Sequence, residues 1–227
     1  MSSVIYDVKA SDVTELLYKL QLREFEDHFR RVREYKGWLV WVSALTQCPR
    51  RWFYMLRFPE AMQVQFKGAF ALGRAAHAGL QQLLQSYYPA LGYEKLETEV
   101  EVEKRLVLHD GRDVLLTGRI DALAFKGGEK VVYEIKTAKS DTGLPHEHHL
   151  LQLRIYMNIV SAAKGVLLYL TPDRVAEYFV KEPISDEELM KLVEEFLEFK
   201  GPRYDWECSY CVYSVICPLK KTNAGRR

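Results

Sequence analysis

Three charged residues on two neighbouring predicted strands are the best candidates for chemistry. Asp121 lies in one apolar segment, and Glu134 and Lys136 lie in the next, beyond a glycine turn. Side chains two residues apart on a strand project from the same face, so Glu134 and Lys136 point the same way. Apolar residues around Ile135 indicate a largely buried strand, in which charges are costly unless they are paired or bind a metal.

Two carboxylates beside an ammonium group suit metal-assisted cleavage of a phosphodiester. Mg²⁺ and Mn²⁺ prefer carboxylate oxygens, lower the pKa of a bound water and neutralise charge on the phosphate. Lys136 would orient the attacking water or stabilise the transition state. The alternative is a surface hairpin with an ion pair between Glu134 and Lys136, because the pattern is short and common.

Polar residues on two predicted helices add to this site. His77 has small neighbours that let its helix approach other elements, and a neutral imidazole is a good Mn²⁺ ligand. Gln152 and Tyr156 are four residues apart, so they share a helix face. Gln152 would hold the attacking water or a DNA end, and Tyr156 would bind a phosphate or stack on a base. Each residue taken singly also fits an ordinary helix surface. The neighbouring histidines are interpreted as a solvated loop near the site: His146, His148 and His149.

Four cysteines indicate a metal or cluster site. Cys208, Cys211 and Cys217 lie close together, and Cys48 is far upstream. Clustered thiols in a reducing compartment favour metal binding over disulfides. Four thiolates suit either an iron–sulfur cluster or a structural zinc, and the chemistry of the thiols leaves both open. Either would tie the two ends of the chain together.

The run 50–54 interleaves arginines and aromatic rings, which fits single-stranded nucleic acid or a helix packed beneath the cluster.

The hydropathy pattern predicts the elements that position these residues. Helical spacing comes first, then a three-stranded meander, then a mixture of helices and strands, which indicates an α/β or α+β fold with a central mixed sheet. Ser11 or Asp12 would cap the first helix. Predicted helices cover residues 11–35, 43–57, 67–88, 150–163 and 185–200, and predicted strands cover 95–108, 114–125, 130–137, 165–170 and 175–181.

Composition sets the wider context. The 227 residues carry a formal net charge of +1, which neither supports nor excludes a nucleic-acid partner, because local patches set the binding field. No apolar run approaches the roughly 18 residues of a membrane span. The first residues lack the layout of a signal peptide, so we expect a cytoplasmic protein that does not contact membranes.

Taken in order, these motifs resemble the RecB-like branch of the PD-(D/E)XK nucleases, and most closely the CRISPR-associated iron–sulfur exonuclease family, the fourth of the numbered Cas families. The resemblance runs from residue 48 to residue 217. Its matching pieces are Cys48-Pro49-Arg50-Arg51, Gly73 with His77, Gly118-Arg119-Ile120-Asp121, Glu134-Ile135-Lys136, Gln152 with Tyr156, and the trio Cys208, Cys211 and Cys217.

The resemblance implies an α/β restriction-endonuclease-like core with a mixed sheet flanked by helices, and an iron–sulfur region joining the N-terminal and C-terminal segments. It implies a metal-dependent deoxyribonuclease that hydrolyses phosphodiester bonds of single-stranded DNA as a 5′-to-3′ exonuclease. Partners would be the CRISPR integrase proteins, during spacer acquisition. The implied Mn²⁺ or Mg²⁺ ligands are His77, Asp121, Glu134 and the Ile135 carbonyl, with Lys136, Gln152 and Tyr156 also catalytic. The four cysteines would hold a 4Fe–4S cluster, and a 2Fe–2S cluster is also compatible: Cys48, Cys208, Cys211 and Cys217.

We expect three regions: an N-terminal helical region over residues 1–66, the RecB-like nuclease core over 67–200, and a three-cysteine tail over 201–227. Two other functions remain open. One is a non-catalytic adaptor that binds DNA ends for the integrase, against which the three converging charges argue. The other is a helicase-associated DNA-repair nuclease.

Overall fold

The computed structural model describes residues 12–63 and 68–221 as one mixed sheet between two helical layers. The strands are β1 (Trp38–Trp41), β2 (Lys95–Val107), β3 (Asp113–Lys126), β4 (Glu129–Thr137), β5 (Lys164–Leu170) and β6 (Val175–Val180). The α-helices are α1 (Val13–Glu34), α2 (Val42–Leu45), α3 (Pro49–Arg57), α4 (Glu60–Gln63), α5 (Gly68–Tyr87), α6 (Glu147–Ile159), α7 (Asp186–Leu197) and α8 (Glu207–Tyr210). Two 3₁₀ turns cover Tyr88–Leu91 and Val212–Val215.

Local capping explains where several helices begin. Asp12 caps α1 by accepting a 2.7 Å hydrogen bond from the Glu15 amide, as the sequence predicts, and Ser11 lies outside the described residues. Ser185 and Glu188 form a reciprocal capping box at the start of α7. Pro49 opens α3, where its missing N–H costs nothing.

Two different strands pair with successive parts of one edge of β3. Along the other edge it pairs with β2 over nearly its whole length, in antiparallel register. On the divided edge, β1 pairs in parallel with residues 114–117, and β4 pairs in antiparallel register with residues 122–126. Residues 118–121 pair with neither strand. The sheet continues from β4 to β5 and β6 in parallel and then antiparallel pairing. We call the opening at residues 118–121 the fork.

Alternate residues of the strands build two cores. Leu123, Val132 and Leu167 face the larger core, which they share with α2, α3, α6 and α7. Ala124 and Tyr133 face the smaller core beneath α5. The α/β class with a mixed sheet and flanking helices is therefore confirmed. Among the described residues, no helix combines the length and apolar character needed to cross a membrane.

Three local expectations need correction. The sequence did not predict β1, which occupies the sheet before α2. The predicted helix 43–57 is two helices, because Cys48 is extended enough to act as the N-cap of α3. Helix α6 begins at Glu147 rather than at residue 150, so His148 and His149 belong to its first turn.

Candidate active site

The fork brings the predicted acidic residues together. Asp121 is the last residue of β3 before its pairing with β4 begins at Ala122 and Tyr133. Beyond Tyr133, β4 leaves β3 and pairs only with β5, so Glu134 and Lys136 lie beside the opening. Charged side chains at the fork can therefore face a cleft while their backbones stay in the sheet.

Glu134 is a buried carboxylate with one unpartnered oxygen. Its side chain is only 3% exposed, and its Oε1 lies 2.5 Å from the Lys136 ammonium. Its Oε2 is buried and has no hydrogen-bond partner among the described residues. Burial raises the pKa of Glu134 to about 7, and the nearby Lys136 charge opposes that rise. An anionic oxygen in this position requires a cation or a donor.

Asp121 links the two strands and the helix above them. Its Oδ2 accepts a 2.6 Å hydrogen bond from the Ile135 amide. Its Oδ1 lies 3.5 Å from His77 Nδ1, which places the predicted histidine of α5 at the same site. The two carboxylates and the imidazole thus converge from β3, β4 and α5.

Helix α6 supplies two predicted residues from the opposite side. Gln152 Oε1 accepts a 3.1 Å hydrogen bond from Lys136, so the ammonium lies between Gln152 and Glu134. Tyr156 is almost fully buried, and burial beside Glu134 raises its pKa well above the usual range. Its hydroxyl accepts a 3.3 Å hydrogen bond from the Arg119 amide.

Close packing explains the glycine in the motif. A Cβ added at Gly118 would lie 2.7 Å from the hydroxyl oxygen and from the Cε1 carbon of Tyr156. No ordinary Cβ contact is that short, so only glycine lets α6 approach the fork so closely.

Sequence reasoning missed two residues beside Asp121, Gln81 and Glu99. The buried Gln81 amide donates to a Glu99 carboxylate oxygen and, at 3.1 Å, to the Asp121 carbonyl. Glu99 has a φ of 55° and lies 2.7 Å from Arg119 Nε. Gln81 follows His77 by four residues on α5, and that spacing is the one signal the sequence offered.

These residues line one open cleft with a volume of about 820 Å³. Its floor is the fork, and its walls come from α1, α5 and α6. Guanidinium groups on the walls are each paired with a glutamate, at distances of 2.6 to 2.9 Å. The pairs are Arg31 with Glu103, Arg74 with Glu24, and Arg119 with Glu99.

All four cysteines line a second, small cavity of about 50 Å³. Cys48 enters from the start of α3, and the other three come from residues 201–221, which we call the cysteine segment. Buried Glu207 fixes this meeting point, because its carboxylate accepts hydrogen bonds from the amides of Cys48 (2.6 Å) and Tyr204 (2.8 Å). Burial raises the pKa of Cys48 to about 11. Four thiols around one cavity form a donor set suited to a metal or cluster.

Neither group of donors is closed around a centre. Within residues 12–63 and 68–221, no three His, Cys, Asp or Glu side chains stand in an arrangement that could hold a metal ion. The donor chemistry still fits a hard divalent cation at the fork, because Glu134 Oε2 is buried and unpartnered beside Asp121 and His77.

The histidines before Gln152 do not form a solvated loop, and that interpretation was wrong. His148 and His149 are half-buried in the first turn of α6. His149 Nδ1 is 2.7 Å from the Tyr169 hydroxyl. Burial lowers the pKa of His148 to about 4 and that of His149 to about 2, so both rings are neutral at pH 7.

The run 50–54 favours the packing interpretation. Trp52 and Tyr54 are buried, with Trp52 against Phe196 and Tyr54 stacked on Tyr213 at 5.7 Å. The Arg50 guanidinium lies over the Phe53 ring at 4.5 Å. The aromatic rings at positions 52 and 54 are therefore committed to the core and the cysteine segment.

The fold and the site define a nuclease. Residues 90–218 match the PD-(D/E)XK nuclease superfamily. The chain is 39% identical over 213 residues to "CRISPR-associated exonuclease Cas4" of Saccharolobus solfataricus (strain P2), and the match covers 92% of this chain and all of that relative. The crystal structure of SSO0001 is similar with a TM-score of 0.82 at 38% identity, covering 92% of this chain and 98% of that one. The chain therefore belongs to the Cas4 exonucleases of the PD-(D/E)XK superfamily, as the motifs predicted, and it is an enzyme.

Proposed function

We propose that this enzyme is a divalent-metal-dependent exonuclease that hydrolyses single-stranded DNA with 5′-to-3′ polarity during CRISPR spacer acquisition, alongside the integrase proteins. The observation that carries the proposal is the buried, unpartnered oxygen of Glu134, which lies beside Asp121 and Lys136 on the floor of an open cleft. Burying such an oxygen is costly unless a cation compensates for it. A site that only bound DNA ends would not need this arrangement.

The proposed ligands of Mg²⁺ or Mn²⁺ are His77, Asp121, Glu134 and the carbonyl of Ile135. When bound, the metal would lower the pKa of a water and neutralise charge on the scissile phosphate. The Ile135 amide already holds one Asp121 oxygen at 2.6 Å, which leaves the other oxygen on the side of His77.

The other proposed site residues neutralise charge or hold neighbouring groups in position. Lys136 is held between Glu134 and Gln152, so its ammonium is fixed before substrate arrives and costs little reorganisation. Gln152 can accept or donate a hydrogen bond to a water or to a DNA end. Tyr156 fixes the main chain of β3 through the Arg119 amide.

The cleft suits the backbone of a single strand. Its arginines supply the guanidinium groups that bind phosphates; exchange of a glutamate partner for a phosphate oxygen keeps the arginine paired and returns the part-exposed glutamate to water. Binding by this route depends on salt, because each phosphate contact releases a counterion.

The cysteine cavity is the proposed site of a 4Fe–4S cluster, held by Cys48, Cys208, Cys211 and Cys217. The convergence of four thiols from positions 160 residues apart supports this assignment. In this view the regions 1–66 and 201–227 meet at the cluster, and region 67–200 carries the nuclease site.

The proposal is tested with single-stranded DNA labelled at either end, incubated with purified enzyme and Mn²⁺ or Mg²⁺. We expect a metal-dependent ladder from wild type, and at least a hundredfold slower cleavage by Asp121→Ala and Glu134→Ala. The matched control is Glu195→Ala, an exposed acidic residue of α7, which should cut like wild type. The order in which the two labels are lost gives the polarity.

Three results would count against the proposal. If folded wild type with its cysteine site loaded does not cut, the site binds DNA without catalysis, as in an adaptor for the integrase. Equal cutting by wild type and both variants would mean that the activity comes from another site or from a contaminant. Faster cutting of duplex DNA than of single strands would remove the proposed substrate.

A further inference from the structure

The first turn of α6 packs against the cysteine segment through aromatic rings. The centre of the His148 imidazole lies 5.1 Å from that of Trp206 and 5.8 Å from that of Tyr204. Tyr204 and Trp206 are themselves stacked, with an angle of 12° between their planes. Since the lowered pKa of His148 leaves its ring neutral at pH 7, the imidazole packs as an aromatic ring.

The same face of α6 leads directly to the active site. His148, Gln152 and Tyr156 are spaced by four residues, so they follow one another along one side of the helix. Gln152 contacts the Lys136 ammonium, and Tyr156 contacts the main chain of the fork. A displacement at the first turn therefore reaches Gln152 one turn later.

At its other end, the stack is tied to the cysteine site. Trp206 is two residues before Cys208, and Glu207 between them accepts hydrogen bonds from the amides of Cys48 and Tyr204. Movement of the segment that carries the thiols must therefore move the ring that rests on His148.

The start of α6 is held by contacts from outside the helix, and Leu150 and Leu151 pack there against the larger core. Its N-cap, His146, makes no side-chain capping hydrogen bond. The remaining contacts found there include the His146 amide donating to the Tyr169 hydroxyl at 3.1 Å and the pairing of His149 with the same hydroxyl. Because an uncapped first turn frays easily, its order depends on packing from outside the helix.

We propose that the His148–Trp206 contact is a positioning device that couples the cysteine segment to α6 and so fixes Gln152 against Lys136. This inference rests on the proposed nuclease function, and it adds a physical link between the cysteine site and the chemistry. Opening of the cysteine segment would leave the acidic residues in place and would loosen the helix that completes the site.

The test compares Trp206→Ala and His148→Ala with Trp206→Phe, which keeps a ring. The matched control is Val215→Ala, because Val215 belongs to the same segment and is 85% exposed. We expect the two alanine variants to lower kcat on single-stranded DNA by roughly ten- to a hundredfold, the cost of misplacing a group beside the reaction, with KM little changed. Trp206→Phe should recover most of the rate, and Val215→Ala should lose none.

Amide hydrogen exchange provides a readout that does not depend on catalysis. Residues 147–153 should exchange faster in Trp206→Ala and His148→Ala, and at the wild-type rate in Val215→Ala. Iron content is measured in each protein. If Trp206→Ala loses metal, His148→Ala decides whether the cysteine segment and α6 are coupled, because it leaves the cysteine segment unchanged. Unchanged exchange in His148→Ala would overturn the coupling. If wild type proves not to be a nuclease, the exchange result still decides whether the two parts are coupled.

Discussion

At the scale of single residues, Asp121 uses one carboxylate oxygen for structure and leaves the other free for the proposed chemistry. The ladder between β3 and β4 ends at Ala122 and Tyr133, so the Ile135 amide lacks a main-chain acceptor on β3. The Asp121 side chain supplies that acceptor at 2.6 Å. A carboxylate that replaces a missing ladder bond is held rigidly, and its second oxygen is therefore well placed for a ligand.

Gln81 gives a prediction at this scale. Its amide donates to Glu99 and to the Asp121 carbonyl, so Gln81→Ala would remove a hydrogen bond to a charged carboxylate and one to the main chain beside the site. We expect a loss of about 1–3 kcal/mol in the free energy of unfolding and a lower kcat. Chemical denaturation and single-turnover cleavage measure the two effects.

The neighbouring glutamine provides the control. Gln82 is exposed, and within the described residues its side chain bonds to Ser86 on the same helix, so Gln82→Ala should leave stability and rate near wild type. Similar effects from both substitutions would show that α5 responds to any loss at its surface, and that the Gln81 network has no special role.

Sequence reasoning works well for charged residues within apolar segments, because burying a charge costs free energy unless it is paired or binds a metal. Asp121, Glu134 and Lys136 stand out because charges rarely occur in apolar strands, and the structure does bring them together at the fork. Gln81 and Glu99 do not stand out, because a glutamine on a helix and a glutamate in an alternating strand are ordinary. Their importance depends on pairing β2 with β3 and placing α5 above them, and those tertiary facts are absent from local patterns.

At the scale of elements, the fork exists because β3 is longer than either partner on its divided edge. Strand β1 pairs with residues 114–117 and β4 with residues 122–126. The short interval between them is open to helix α6, whose Tyr156 fills it against Gly118. A short N-terminal strand thus helps to define where the candidate active site lies.

Leu39 tests the contribution of β1. It is 5% exposed, so Leu39→Ala removes packed methyl groups and should cost about 2–5 kcal/mol in the free energy of unfolding. Leu83→Ala is the matched control, because Leu83 on α5 is 55% exposed and its truncation should cost little. Thermal and denaturant unfolding curves give both values. A cost for Leu39→Ala no larger than that of the control would mean that β1 adds little to the sheet.

The missed strand shows a limit of periodicity. Residues 38–41 read Trp-Leu-Val-Trp, which has neither the alternation of a half-exposed strand nor the length of a helix. The long meander over β2, β3 and β4 was predicted to within a residue or so at each end, because turns and alternation mark it. The parallel pairing of β1 with β3 joins positions 76 residues apart, Trp38 and Val114, and no local signal encodes it.

At the scale of the whole molecule, the cysteine segment closes the structure around α3. Tyr54 stacks on Tyr213, and the Tyr213 hydroxyl donates a 2.9 Å hydrogen bond to the Phe58 carbonyl. With Glu207 accepting from the Cys48 amide, these contacts hold the segment in place through ordinary packing as well as through the thiols. A bound cluster would add a strong link across a loop of 160 residues.

We predict that Cys208→Ser lowers the melting temperature by at least about 5 °C, the shift that a loss of ~2 kcal/mol produces in a chain of this size. Iron and sulfide should fall below wild-type stoichiometry in the same protein. Val215→Ala, an exposed position of the same segment, should change neither quantity. An unchanged melting temperature would contradict the stabilising role, and stoichiometric zinc in colourless, anaerobically purified wild type would replace the cluster with a zinc site.

The order of the chain adds a consequence for biosynthesis. Translation delivers the sheet, α5 and α6 before residue 204 is made. With the coupling proposed above, a chain that stops short of residue 204 carries the acidic residues but lacks the rings that steady α6. Such a chain would cut DNA at least roughly tenfold more slowly than the finished protein. Synthesis of the cysteine segment would then raise the nuclease activity to its full level, so a truncated translation product would be comparatively harmless to the DNA of its own cell.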